Sequence, residues 1–330
     1  MPAAANTIPE NVTDSSRIVP SKVEGIAFCS VFILQFVLIV VGNAFTIVLF
    51  AVYRRLRKRS LFLVINMACA DLMLGTVTLP IYIYLVGVRY KFWTGRWRKS
   101  LSTCFLVVDS FFTFASLISA AFISAERLYA THRPLKHRTL SMQVYRIILF
   151  TVWTFAFLST AIYIALNLLI STNHSNVWTP LVFILTFIMC GCNIGIWRKF
   201  QRGGFASQQH NSVLRNKRLT KTLMFVSTLA LVLWLPLTIM NYLIFVHHLE
   251  IPLKYYLSMV VLTYSNSFVN PVVYALRIPA FGEALVLCCF RRRPAAPGII
   301  DIKRRNKKTP AMTTAQLRTS SDQEVMVTNL

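Results

Sequence analysis

Apolar residues along this chain gather into seven long runs that shorter polar segments separate. Each run is close to or above the roughly 20 residues that an α-helix needs to cross the hydrocarbon core of a bilayer. The pattern therefore predicts an all-α integral membrane protein built as a seven-transmembrane-helix bundle. We number the predicted helices as spans one to seven: Ile26–Val52, Leu61–Val88, Leu101–Ala130, Val144–Ile170, Thr179–Trp197, Leu219–Val246 and Tyr255–Leu276.

The composition agrees with a membrane protein and excludes other classes. Of the 330 residues, 55% are hydrophobic and 14% are charged, whereas an ordinary soluble domain carries about 25% charged residues. A soluble enzyme and a disordered scaffold are therefore excluded. The net charge of +24 would indicate a nucleic-acid-binding protein in a soluble chain. Here the basic residues lie in short segments between apolar runs, so nucleic acid is not an expected partner.

The distribution of basic residues predicts the orientation of the chain. Of the 35 Lys and Arg residues, 27 lie on one side of the predicted membrane and 8 on the other. Because cytoplasmic loops carry the excess of positive charge, the amino terminus is predicted outside the cell and the carboxyl terminus inside. Neither Asp nor Glu occurs between Arg127 and Leu249. Anionic lipids are expected to attract these basic loops, although topology alone accounts for most of the charge.

Several short motifs occur in order, each on its own span. Three acidic residues, Asp71, Asp109 and Glu126, lie inside spans, where each costs a few kcal/mol and marks a functional hypothesis. The accompanying motifs are Gly42-Asn43, Asn66-Met-Ala-Cys-Ala-Asp71-Leu, Glu126-Arg127-Leu128, Trp153, Leu-Trp234-Leu-Pro236 and Asn266-Ser267-Phe-Val-Asn270-Pro271-Val-Val-Tyr274. From Gly25 to Phe290 this pattern resembles the rhodopsin-like (class A) G-protein-coupled receptors, with the subfamily unresolved.

The resemblance implies a plasma-membrane receptor, not an enzyme, that transmits an extracellular ligand signal to heterotrimeric G proteins and then to arrestin. It also implies a short amphipathic eighth helix. The expected regions are an extracellular segment (1–25), the receptor domain (26–277), the amphipathic helix (278–290) and a disordered cytoplasmic tail (291–330). The alternatives are a peptide or lipid receptor, a constitutively active orphan, or, outside the class, a channel or transporter. A transporter would show repeated halves, which this sequence lacks.

The resemblance also implies a ligand site near the outer ends of the spans. Asp109 stands where amine receptors carry the counter-ion of their ligand, and Tyr264 is placed to hydrogen-bond it. Trp234 would lie beneath the ligand as a toggle, and Asn241 would complete the site. Because a buried carboxylate attracts an ammonium strongly, the first candidate ligand is a biogenic amine or another cation. The same pair occurs in receptors for basic peptides, so a peptide ligand stays open.

A second polar group matches the sodium site of the family. Its members are Asp71, Ser116, Asn266, Ser267 and Asn270, with Asn43 close by. A carboxylate surrounded by hydroxyl and amide oxygens suits a small hard cation. A polar network that holds only water would satisfy the same groups. A bound sodium ion is therefore expected in this position, and no other cofactor is expected.

The implied switch lies at the cytoplasmic end. Glu126 and Arg127 would form an ion pair in the inactive state, and Asn270, Pro271 and Tyr274 would also take part in G-protein coupling. Pro236 and Pro271 each remove a helix hydrogen bond in mid-membrane and predict kinks. The acid that the family often carries at the start of span six is replaced by Asn216. We therefore expect a weaker inactive state with basal activity. Span five lacks the usual mid-helix proline, and Asn193 stands where a tyrosine commonly assists Arg127 in the active state.

Modification and docking signals complete the sequence. Asn11 and Asn173 are glycosylation sequons on the predicted outer face. Cys288 and Cys289, followed by three arginines, suit palmitoylation. The carboxyl-terminal Thr-Asn-Leu resembles a ligand of PDZ domains. Cys104 would form a disulfide with Cys29 only if the helix ends bring them together.

Overall fold

The computed structural model describes residues 21–53, 56, 61–93, 99–170, 174–202, 211–247 and 249–290. Within these residues the secondary structure is helical, without strands. The helices are α1 (Lys22–Val52), α2 (Leu61–Met73), α3 (Leu79–Arg89), α4 (Lys99–His132), α5 (Pro134–Thr139), α6 (Met142–Ile170), α7 (His174–Gln201), α8 (Asn211–Val246), α9 (Leu253–Arg277) and α10 (Pro279–Phe290).

Seven helical segments in the described part of the chain are long and apolar enough to cross a membrane. They are α1, the continuous segment of α2 and α3, α4, α6, α7, α8 and α9, which confirms the predicted seven-helix bundle. Some helices extend beyond the predicted spans. Helix α7 begins at His174 rather than Thr179, so Pro180 lies inside the helix, and α8 begins at Asn211 rather than Leu219. The hydropathy pattern marks only the apolar part of a helix. Polar turns extend these helices beyond their apolar parts.

A π-helical turn, Leu74–Thr78, joins α2 to α3 within span two. The sequence analysis missed this turn. Pro80 follows at the start of α3, and a proline both lacks an N–H group and collides with the carbonyl group four residues earlier. The wider turn relieves this conflict. Because it accommodates one extra residue, it changes which side chains of α3 face the bundle, and Tyr82 is among those buried there.

The bundle interior contains two apolar clusters. One surrounds the Arg127 half of α4 and includes Phe114, Tyr145 and Tyr274. The other lies in the Asp109 half, where α1, α3, α4 and α9 meet. Large apolar side chains also cover the outside of the bundle, among them Phe150, Phe157 and Phe187. An outer apolar surface is expected of a bundle whose solvent is lipid.

The chain divides into two compact units, residues 1–285 and 286–330. The first contains the bundle and the beginning of α10, where Phe281 is buried and its ring lies 6.2 Å from that of Tyr274. Of the second unit, the structure describes Val286–Phe290, the end of α10. The predicted eighth helix is therefore confirmed. The predicted boundary at residue 25 falls in the first turn of α1, and the tail from residue 291 lies outside the described residues.

Candidate functional site

The predicted ligand residues Asp109 and Tyr264 are in contact. Tyr264 on α9 is buried, and its hydroxyl donates a hydrogen bond of 2.8 Å to Oδ1 of Asp109 on α4. The Asp109 side chain is partly exposed. Within the described residues no Lys, Arg or His forms an ion pair with it. Among the described residues, the neutral phenol of Tyr264 is therefore the only hydrogen-bond donor to this partly exposed carboxylate.

Aromatic rings from the four helices α1, α3, α4 and α9 pack together around Tyr264. We call Phe32, Tyr82, Phe105, Tyr256 and Tyr264 the aromatic cluster. The ring of Tyr82 stacks on Phe105 at 5.3 Å and meets Tyr264 edge-on at 5.8 Å, while Phe32 packs edge-on against Tyr82 at 5.2 Å. Tyr82 and Tyr256 are both buried in the same apolar cluster as Tyr264. The sequence analysis missed these two tyrosines. For Tyr82 the reason is the π turn before α3, which sets the orientation of its side chain.

Trp234 and Asn241 lie on one face of α8, seven residues apart, which is close to two helical turns. Both side chains are buried, and Nε1 of Trp234 and Oδ1 of Asn241 have no hydrogen-bond partner among the described residues. The Trp234 ring packs 6.1 Å from that of Trp178 on α7, which in turn lies 4.6 Å from Phe114 on α4. Sequence reasoning missed Trp178, because it precedes the predicted start of span five. It links α8 to α4 through ring contacts.

The structure brings three of the four predicted partners of Asp71 to its carboxylate. Ser116 donates at 2.7 Å, Ser267 at 2.9 Å and Asn270 at 3.1 Å, and Asp71 itself is fully buried. Asn266, the fourth, is also buried on α9. Nearby, Asn43 donates to the backbone oxygen of Ser267 at 3.0 Å. These groups join α1, α2, α4 and α9.

This oxygen-rich set fits a small hard cation. Ser116 and Ser267 use their hydrogens toward Asp71 and keep lone pairs, and Oδ1 of Asn43 is buried without a partner in the described part of the chain. Oxygen donors with one carboxylate are the chemistry that hard cations take. Transition-metal chemistry has no comparable support, because no group of three or more His, Cys, Asp and Glu side chains occurs among the described residues.

Trp153 connects three helices beside this network. Its Nε1 donates to Oδ1 of Asn66 at 2.9 Å, and Nδ2 of Asn66 donates to Ser119 at 2.8 Å. The bonds tie α6 and α2 to α4. The buried amide of Asn66 thus has partners on both of its atoms, as a polar group in an apolar interior requires.

Glu126 and Arg127 form a buried ion pair at the end of α4. Two further groups reach the same carboxylate. His137 on α5 places Nε2 at 2.6 Å from Oε1, and the hydroxyl of Tyr145 on α6 donates to Oε1 at 3.0 Å. The sequence analysis missed both contacts. Pro134 is the sequence feature that could have indicated a short helix here, because proline is common at the first position of a helix. In that helix His137 lies close enough to α4 to contact Glu126.

The corresponding end of α8 has no acidic side chain at position 216, where Asn216 stands. Instead, Asn193 on α7 accepts a hydrogen bond from Ser227 at 2.9 Å and donates to Thr228 at 3.2 Å. The Arg277 guanidinium lies over the Phe225 ring, 4.3 Å from its centroid. Helix α8 is therefore joined to α7 by neutral hydrogen bonds and to α9 by a cation–π contact.

Pro271 and Tyr274 lie on the buried face of α9. The hydroxyl of Tyr274 has no partner among the described residues. Gly42 faces the proline: a Cβ atom at Gly42 would lie 3.2 Å from Cβ and Cγ of Pro271. The glycine thus permits the close approach of α1 to α9.

The remaining predicted features have limited structural description. Asn11, Asn173 and the carboxyl-terminal Thr-Asn-Leu lie outside the described residues, as do the side chains of Cys288 and Cys289. Cys29 is buried, Cys104 is exposed, and both are free thiols. The disulfide left open by the sequence analysis is therefore not formed.

The fold and the arrangement of its polar sites define a seven-helix membrane receptor. The family model "7 transmembrane receptor (rhodopsin family)" matches residues 42–177 and 172–274, and the chain belongs to this family. It is thus a multi-pass membrane protein of the class A G-protein-coupled receptors, not an enzyme, with a G protein and a small-molecule ligand as partners of its class.

Similar receptors fall into different ligand groups. The chain is 24% identical over 277 residues to adenosine receptor A3 of Canis lupus familiaris, covering 75% of this chain and 86% of the relative. It is 26% identical over 285 residues to trace amine-associated receptor 9 of Mus musculus, covering 76% and 80%. It is 30% identical over 122 residues to the histamine H4 receptor of Mus musculus, covering 36% and 30%.

Proposed function

We propose that this receptor binds a ligand with a positively charged amine at Asp109 and activates a heterotrimeric G protein in response. The observation that carries the proposal is the partly exposed Asp109 carboxylate, held by Tyr264 and without an ion-pair partner in the described residues. A carboxylate withdrawn from water is costly unless it is paired. A ligand ammonium would supply the missing charge. The similarity to trace amine and histamine receptors supports this ligand class.

Ligand binding would reach the G-protein end through α8. Trp234 would lie under the ligand. Its ring packs on that of Trp178, and Pro236, two residues later, removes a backbone hydrogen bond inside α8. A change in the contacts of Trp234 would therefore swing the far end of α8 about this proline. Arg127 would then leave Glu126 and contact the G protein. Asn270, Pro271 and Tyr274 would adjust α9 in the same step.

We propose that Asp71 binds a sodium ion together with Ser116, Asn266, Ser267 and Asn270. The hydroxyl oxygens beside a fully buried carboxylate support the proposal. This chain's own groups would hold the ion between α2, α4 and α9.

The orientation and the remaining partners follow from the charge pattern and the tail. The receptor would lie in the plasma membrane with its amino terminus extracellular and its tail cytoplasmic. Asn11 and Asn173 would carry glycans, and Cys288 and Cys289 would carry palmitate. The tail would bind arrestin and a PDZ domain, and its basic segments would contact anionic lipids.

The test of the proposed function is G-protein dissociation in cells that express this chain, measured against a panel of biogenic amines. A response of the native receptor that Asp109→Asn loses is the expected result. The matched control is Glu250→Gln, which neutralises an exposed acid between α8 and α9 and should leave the response unchanged. An amine response that survives in Asp109→Asn would contradict the assignment. Basal signalling above an Arg127→Ala control, without an amine response, would favour a peptide, a lipid or an orphan receptor.

A further inference from the structure

We infer that Gln35 on α1 is a positioning residue of the ligand site, because it fixes the turn of α9 that carries Tyr264. This role rests on the proposed function and assigns a further residue to the same site. Gln35 acts through Tyr264, whose hydroxyl donates to the Asp109 carboxylate at 2.8 Å. Its own described hydrogen bonds go to α9 and not to Asp109.

The Gln35 side chain joins α1 to α9. It is buried, and its Nε2 donates to the backbone oxygen of Val261 at 2.7 Å and to Oγ of Ser265 at 3.0 Å. Val261 lies three residues before Tyr264, and Ser265 directly follows it. Because positions three and four apart share one face of a helix, Gln35 holds the turn of α9 from which the Tyr264 side chain projects.

A ring on α1 supports the same turn of α9. Phe32 precedes Gln35 by three residues, so both side chains lie on one face of α1. The Phe32 ring meets that of Tyr264 edge-on, with the ring centroids 6.4 Å apart. Because a hydrogen bond is lost beyond about 3.6 Å, a shift of α9 along α1 by about 1 Å would break the bond from Tyr264 to Asp109.

Stability alone does not account for a glutamine at this position. Oε1 of Gln35 is buried and has no hydrogen-bond partner among the described residues, and an unpaired buried acceptor costs free energy. An apolar side chain would avoid this cost. The backbone oxygen of Val261 would still accept a hydrogen bond from the hydroxyl of Ser265, which lies at 2.8 Å. Local rules of this kind are broken mainly at functional sites, and the fixed position of α9 against α1 is the function that these contacts supply.

A double-mutant cycle between Gln35 and Tyr264 tests this role without a ligand. Gln35→Met keeps the length of the side chain and removes its amide, and Tyr264→Phe removes only the hydroxyl. The unfolding temperatures of the native receptor, the two single variants and the double variant would be measured in nanodiscs. We expect Gln35→Met to lower the unfolding temperature of the native receptor by more than it lowers that of Tyr264→Phe, in which the hydroxyl that Gln35 positions is absent.

The matched control is Thr46→Val, because Thr46 is a buried polar residue of α1 that bonds the backbone of its own helix at Gly42. It should lower the unfolding temperature equally in the native and the Tyr264→Phe receptors. Ser265→Ala is a second, milder variant that leaves α1 unchanged. It removes one of the two acceptors of Gln35 and should show the same non-additivity with Tyr264→Phe, to a smaller extent.

The amine response gives a readout that a purely structural role would not move in this way. Histamine, tyramine and dopamine would be titrated in the G-protein dissociation assay. For an amine that activates the native receptor, we expect Gln35→Met to raise the half-maximal concentration about three-fold or more, the factor that an interhelical hydrogen bond in a membrane contributes. In the Tyr264→Phe receptor the same substitution should leave this concentration unchanged, and Thr46→Val should leave it unchanged in the native receptor.

The two readouts separate a failure of Gln35 as a positioning residue from a failure of the proposed function. Equal decreases in unfolding temperature in the two backgrounds, or an amine potency that Gln35→Met does not change, would overturn the role of Gln35. An amine response that Asp109→Asn abolishes would in that case still support the amine receptor. A non-additive cycle without a response to any amine would keep the positioning of Tyr264 by Gln35 and overturn the proposed ligand.

Discussion

The three acidic side chains inside the bundle differ in how fully the protein compensates their charge. Glu126 contacts a guanidinium, an imidazole and a phenol. Asp71 accepts three neutral hydrogen bonds, and Asp109 accepts one from the described residues. Because an ionised carboxylate away from water needs partners, Asp109 has the most to gain from an external cation. The three degrees of compensation agree with the roles proposed above: a switch at Glu126, an ion site at Asp71 and a ligand site at Asp109.

The partners of Glu126 determine the free energy needed to release Arg127. When Arg127 leaves, His137 and Tyr145 still compensate the carboxylate. We expect His137→Ala to make this release less favourable and to lower basal G-protein activation. A hydrogen bond to a charged group contributes about 1.5–3 kcal/mol, so the decrease should be about ten-fold or more.

Basal nucleotide exchange on the purified G protein, at equal receptor density, measures this effect. His132→Ala is the matched control, because His132 is exposed and bonds only the backbone of its own helix in the described contacts. A rise in basal exchange in His137→Ala would show instead that α5 holds the inactive state.

Sodium binding at Asp71 has a readout independent of signalling. We expect NaCl to raise the unfolding temperature of the native receptor relative to KCl at equal ionic strength, since an ion that binds only the folded state stabilises it. Asp71→Asn keeps the size of the side chain and removes its charge, so this difference should disappear. Asp109→Asn serves as the comparison and should keep the sodium effect. A sodium effect that persists in Asp71→Asn would place the ion elsewhere.

At the scale of the elements, the number and order of the helices could be predicted from the sequence, because a bilayer demands long apolar runs. The contact of Asp109 with Tyr264 could be expected only through the family resemblance. Tyr82 could not be placed, since the π turn before α3 changes the orientation of its side chain. His137 could not be placed either, because a six-residue helix leaves no periodic signal. The sequence therefore does not predict the position of a side chain that depends on a π turn or on a very short helix.

The packing of α1 on α9 depends on a single small residue. A side chain at Gly42 would meet the rigid ring of Pro271, which has no alternative rotamer to adopt. We expect Gly42→Val to destabilise the receptor by about 1–3 kcal/mol, as overpacking commonly does, and to lower its unfolding temperature in nanodiscs. Gly191→Val is the control, because nothing lies within 4 Å of a Cβ at Gly191. Equal unfolding temperatures for the two variants would contradict a packing role of Gly42.

Across the whole molecule, two helices connect the three polar sites. Helix α4 contributes Asp109, Ser116 and Glu126, and α9 contributes Tyr264, Ser267 and Asn270. Helix α8 carries none of these groups. Its described contacts with α7 include the hydrogen bonds of Asn193 and the Lys221 ammonium, which lies 5.9 Å from the centroid of the Phe200 ring. A movement of α8 would therefore leave the described hydrogen bonds of the three polar sites intact. Pro236 lies inside α8, two residues after Trp234, so a hinge of this helix would be centred there.

The contact between Arg277 and Phe225 is therefore expected to set the resting position of α8. A cation–π contact at an exposed site contributes about 0.5–1 kcal/mol, enough to shift a two-state equilibrium about two- to five-fold. We expect Phe225→Leu, which keeps an apolar side chain and removes the ring, to raise basal nucleotide exchange by this factor. By thermodynamic linkage, the affinity of the variant for the nucleotide-free G protein should rise equally. Phe187→Leu, at a ring that is 71% exposed on α7, should change neither quantity. If Phe225→Leu raised the affinity without changing basal exchange, the ring would act on the G-protein contact itself and not on the position of α8.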